Sequence, residues 1–90
     1  MHQRTVVIGS RSGLHARPAS LFVKEATRQR VKVTIGRDGQ SAVDARSLLS
    51  VLALGAQHGD SVVLAAEGNG AEAAVEELAE FLARDLDATA

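Results

Sequence analysis

Apolar positions along this chain follow two rhythms. Thr5–Ile8 is a short β-branched run, and Val31, Val33 and Ile35 alternate with Lys32 and Thr34 as a half-buried strand does. Asp38-Gly39 is a hairpin turn signal that leads into a partner strand over Ser41–Asp44, and Ser61–Ala66 forms a fourth strand between Gly59-Asp60 and Gly68-Asn69-Gly70. The other rhythm is helical. Ala19, Phe22, Val23 and Ala26 recur at three- and four-residue steps, with Ser20, Lys24, Thr27 and Arg28 opposite. Pro18, the chain's one proline, marks the beginning of that helix, because a residue without N–H and with a fixed φ fits a first turn. A last helix from Ala71 to about Leu86 buries Ala74, Val75, Leu78 and Leu82 beside Phe81, with Glu72, Glu76, Glu77 and Glu80 on a solvated face and Arg84 near its negative end. With a middle helix over 45–55, the order is β-α-β-β-α-β-α. It predicts an α+β fold, a four-stranded antiparallel sheet with three helices on one face.

The middle helix carries more apolar surface than one sheet can cover. At 100° per residue its leucines divide into two sectors, so Val51 and Leu54 can face the core while Leu48, Leu49 and Leu52 cannot all follow. Some leucine stays exposed, and an exposed apolar patch on a small protein is a candidate docking surface.

The chemistry concentrates at Gly13-Leu14-His15-Ala16-Arg17-Pro18-Ala19. His15 lies just before the helix that Pro18 marks. A helix N-terminus has unpaired N–H groups and a partial positive charge, which attract anions and favour the uncharged, nucleophilic form of a neighbouring imidazole. If a ring nitrogen attacks phosphorus, the N–H groups of Ala16 and Arg17 and the Arg17 guanidinium can meet the added charge. A hydroxyl at Ser12 is placed to add a hydrogen bond. The plain alternative is a capping or surface histidine. His2 and His58 lie in a terminus and a loop without a supporting signature.

With those residues in view, the chain resembles the histidine-containing phosphocarrier protein (HPr) family of the phosphoenolpyruvate-dependent sugar phosphotransferase system. Residues 13–19 are similar to the family's active-site motif. Ala45-Arg46-Ser47-Leu48-Leu49-Ser50-Val51-Leu52-Ala53-Leu54-Gly55 is similar to its regulatory-serine helix, and the likeness extends over nearly all 90 residues. The serine stands one residue later than the family pattern implies, as an insertion near Asp38-Gly39 would produce. The resemblance implies an open-faced β-sandwich and a phosphoryl carrier, not an independent enzyme: His15 takes a phosphoryl group on Nδ1 from enzyme I and passes it to sugar-specific IIA proteins. It further implies that Arg17, Ser47, Leu48, Leu49 and Leu52 meet those partners, and that a serine kinase and a transcriptional regulator act through Ser47. Serine is also a common helix N-cap, and the two roles are compatible. A paralogue serving a nitrogen-type phosphorelay, and a regulatory interaction protein working through Ser47 and the leucine patch, are the alternatives.

Charge and composition narrow the classes. Residues 1–46 hold nine Lys/Arg against three acids and residues 47–90 hold one against eight, so a net charge of −1 conceals a basic half around the candidate site. That asymmetry steers acidic partners toward His15. Two phenylalanines at apolar helical positions provide no stacking platform for nucleic acid. No cysteine is present, and no pair of carboxylates stands at ligand spacing near His15, so neither metal nor cofactor is expected. Met1-His2-Gln3-Arg4 has no apolar run behind it. The expectation is a single cytoplasmic domain over 1–90, monomeric and without membrane insertion.

Overall fold

The computed structural model describes residues 1–86. Its elements are β1 (His2–Val7), α1 (Ala16–Thr27), β2 (Thr34–Arg37), β3 (Val43–Asp44), α2 (Leu48–Ala53), β4 (Ser61–Ala66) and α3 (Ala71–Ala83). The strands form one antiparallel sheet in the order β1-β4-β2-β3. This is the open-faced α+β sandwich that the element order predicts.

Period-two alternation decides which side of the sheet the helices cover. Val62, Leu64 and Ala66 of β4 are buried, while Ser61, Val63 and Ala65 between them are half-buried on the open side. Register carries the division across the sheet: Val6 stands opposite Val62, and Ile35 opposite Leu64, so both join the covered face. Phe22 from α1, Val51 from α2 and Val75, Leu78 and Leu82 from α3 close over it. Burying a side chain of this size contributes roughly 1.5–3 kcal/mol.

β1 begins earlier than its apolar run. His2 and Arg4 both bind the Glu76 carboxylate on α3, the His2 Nε2 contact being 2.8 Å, so polar residues extend the strand by crossing to the helix. Glu76 is therefore clasped to the sheet and not merely solvated. The His2 hydrogen bond, and after it Arg4, hold its carboxyl below the ordinary value.

The hairpin is shorter than its alternation implies. Ladder pairing in β2 and β3 covers Thr34 opposite Asp44 and Ile35 opposite Val43, while Val33 joins through its carbonyl, which accepts the Ala45 N–H at 3.0 Å. α3 ends at Ala83, three residues before Leu86, and Arg84 is extended at ψ 156°. Leu86 is buried nonetheless, and its N–H donates to the Ser10 hydroxyl at 2.9 Å. Among the described residues, no helix is long and apolar enough to cross a membrane.

Candidate functional site

α1 begins at Ala16, which puts Pro18 third in the helix, and His15 takes the N-cap position with extended backbone at φ −130°, ψ 160°. Its side chain makes no capping hydrogen bond. A serine or aspartate in that position would bend back to the helix N–H groups. The half-buried imidazole of His15 leaves them unused. Pro18 has no N–H, and the Ala19 N–H reaches the His15 carbonyl at 3.5 Å, which leaves Ala16 and Arg17 as the donors at this end. No acidic residue stands in the first turn to offset the positive end. Arg17 is exposed and, among the described residues, has no ion-pair partner. An imidazole, two amides and a guanidinium thus share one helix end.

Ala16 has φ +47°, the left-handed region that an alanine enters at roughly 1–2 kcal/mol. That strain sits one residue from His15. Nothing in the residue type announces it.

The loop before His15 is shaped by Gly13. Its φ is +73°, and a Cβ there would lie 2.6 Å from the Ala56 carbonyl oxygen and 2.7 Å from the Gln57 Cα. The bare backbone lets the loop rest on the turn after α2, where the Leu14 N–H donates to the Ala56 carbonyl at 2.9 Å. Leu14 is fully buried and anchors the loop in the core. Farther back, the Gly9 N–H caps α3 through the Leu82 carbonyl at 3.0 Å. Ser10, a buried polar residue that periodicity does not single out, accepts from Leu86 and donates to the Arg84 carbonyl at 3.5 Å. Arg11 pairs with Asp85 at 3.2 Å. Ser12 is exposed in the turn that follows.

α2 packs against α1 in the helical layer. Leu49 is 81% exposed and Leu48 39%, whereas Leu52 is half-buried against the core and Leu54 only half-buried beside it. The surplus apolar surface is therefore at the N-terminal end of α2, and Leu52 contributes an edge of it. Ser47 is the N-cap: its Oγ accepts from the Ser50 N–H at 3.3 Å and donates to the Ser50 hydroxyl at 3.0 Å. Arg46 folds back onto Asp44, to which it gives its backbone N–H at 2.9 Å and two guanidinium contacts at 3.1 and 3.2 Å. That hydrogen bonding holds the Asp44 carboxyl below its usual range. The cation before Ser47 is thus turned toward its own turn. Among the described residues, no three His, Cys, Asp or Glu side chains gather as a metal site.

Comparison with known proteins agrees with this fold. Residues 2–84 match the family described as "PTS HPr component phosphorylation site". The chain is 52% identical to the phosphocarrier protein HPr of Streptomyces coelicolor over 87 residues, covering 97% of this chain and 94% of that protein. It superposes on the crystal structure of HPr from Bacillus anthracis with a TM-score of 0.84 at 37% identity, covering 90% of this chain and 95% of the other. An HPr from Thermoanaerobacter tengcongensis, described as a dimer, is similar at a TM-score of 0.66 and 36% identity, covering 89% of this chain and 91% of the other.

Proposed function

Because this chain belongs to the HPr family of phosphotransferase-system phosphocarriers, we propose that His15 accepts a phosphoryl group from phosphorylated enzyme I in the cytoplasm and hands it to a IIA protein. The observation that carries the reading is an imidazole at the N-cap of α1 that performs no capping. In the transfer a lone pair on the ring nitrogen, Nδ1 by family resemblance, attacks phosphorus. The new N–P bond forms as the bond to the donor breaks, and the donor leaves with its electron pair. The phosphoryl oxygens then accept from the Ala16 and Arg17 amides and from the Arg17 guanidinium. One arginine and one helix end stabilise the product without making onward transfer steeply uphill. The carrier is therefore turned over by its partners and is not an independent enzyme.

The test is intact mass after incubation with enzyme I, Mg²⁺ and phosphoenolpyruvate. One acid-labile phosphoryl group on the wild type and none on His15→Ala is the expected result. An adduct that persists in His15→Ala removes the assignment.

Ser47 is proposed to regulate the same exchange, since a phosphate there would stand beside the exposed Leu48 and Leu49. The cap makes the test separable. Aspartate is also a good N-cap, so Ser47→Asp should unfold close to the wild-type temperature while slowing uptake from enzyme I by about three- to tenfold. Ser47→Ala should show the reverse, a loss of about 1 kcal/mol in stability with uptake unchanged. Equal uptake rates in all three proteins would leave Ser47 with the cap alone.

A further inference from the structure

The turn at 56–60 holds the loop before His15 from both of its ends. The Ile8 N–H donates to the Asp60 carbonyl at 2.9 Å, the Gly59 N–H returns to the Ile8 carbonyl at 3.0 Å, and the Leu14 N–H reaches Ala56 at 2.9 Å. Between them one side chain crosses the gap. His58 Nδ1 lies 3.1 Å from the carbonyl oxygen of Ser10. A carbonyl only accepts, so Nδ1 carries the hydrogen and donates it. The same oxygen takes the Gly13 N–H at 3.0 Å, which occupies both its lone pairs and ties the two ends of the Ser10–Gly13 turn to His58.

The platform under His58 is itself braced. The Asp60 carboxylate accepts the Gln57 N–H at 2.8 Å and pairs with Arg37 at 3.2 Å, and the Asp60 N–H closes the turn onto the Gln57 carbonyl at 2.9 Å. On the other side of the contact, the Ser10 side chain is buried and held by Leu86. The Nδ1 bond therefore joins two fixed bodies, and Gly13 stands two residues before His15.

We propose that His58 is a positioning residue for phosphoryl acceptance at His15, acting through the Ser10 carbonyl on the turn that aims the imidazole. This rests on the reading of His15 as the acceptor. Attack on phosphorus needs a near-in-line approach at about 3–3.5 Å, so a loop free to shift spends less time in register.

The experiment compares wild type, His58→Leu, which has no donor, and His58→Asn, whose amide N–H can stand where Nδ1–H stood. Phosphoryl uptake is measured against carrier concentration with enzyme I and phosphoenolpyruvate, alongside amide resonances and hydrogen exchange. His58→Leu should lower the maximal rate about three- to tenfold with KM within about twofold of wild type, and its Gly13 amide should shift and exchange faster. His58→Asn should restore both. Wild-type rates in His58→Leu, or a loss confined to KM, would overturn the proposal. So would a loss that His58→Asn shares. If the wild type takes up no phosphoryl group, the reading of His15 fails, while the Gly13 amide still reports whether His58 holds the turn.

Discussion

Gly13→Ala should lower the unfolding temperature by roughly 8–40 °C and slow phosphoryl uptake more than tenfold. Two costs add. An alanine at φ +73° pays roughly 1–2 kcal/mol for the left-handed conformation. Its Cβ would also meet the Ala56 carbonyl oxygen and the Gln57 Cα at 2.6 and 2.7 Å, which are backbone atoms that no rotamer change can move aside. Overpacking of this kind costs typically 1–3 kcal/mol. At about 4–8 °C per kcal/mol for a domain of this length, the sum gives the stated range. Activity suffers beyond stability, because the loop relieves the clash by lifting off the turn, which carries Leu14 and His15 with it. A thermal melt and a phosphoryl-uptake assay on the folded fraction check both parts. A variant that melts within about 5 °C of wild type would show that the loop does not rest on this turn as described.

The second large effect belongs to Gly9. Its backbone needs no positive φ, so the cost is steric alone: a Cβ would fall 2.1 Å from the Ala83 carbonyl oxygen and 2.9 Å from that of Arg84. Gly9→Ala should therefore destabilise by about 3 kcal/mol or more, since the end of α3 must retreat and the Gly9–Leu82 and Ser10–Leu86 hydrogen bonds open together. The displaced element is α3, not the His15 loop. Uptake per folded molecule should thus fall less than in Gly13→Ala. Denaturant unfolding gives the stability change, and a larger rate loss in Gly9→Ala than in Gly13→Ala would contradict this division of labour.

Local patterns made much of this legible. Pro18 marks the start of α1 within two residues, β4 is bounded as its flanking glycines indicate, and the leucine surplus of α2 leaves Leu49 in solvent. What escaped depends on partners far away in the chain. Leu78, Leu82 and Leu86 keep a four-residue step, so periodicity carries the last helix onward, and Leu86 is indeed buried. The backbone nevertheless turns extended at Arg84, because Gly9 and Ser10 supply the hydrogen bonds that a further helical turn would have made. No glycine or proline marks that stop. The half-buried position of Leu52 and the clasp on Glu76 were hidden for a similar reason, since neighbouring elements decide both. At the site, His15, Ala16 and Arg17 stand together as their spacing implies. The left-handed Ala16 and the buttress of residues 56–60 left no trace in residue type.

The anchoring of residues 8–14 also dates the site within the life of the chain. These residues leave the ribosome well before the ones that hold them, at 56–60 and 82–86. Contacts of such long sequence separation form late, after the entropy of closing large loops has been met. A nascent chain that still hides β4 and α3 has His15 in hand but no fixed loop to present it, so the acceptance proposed for His15 must wait until both elements have emerged and docked.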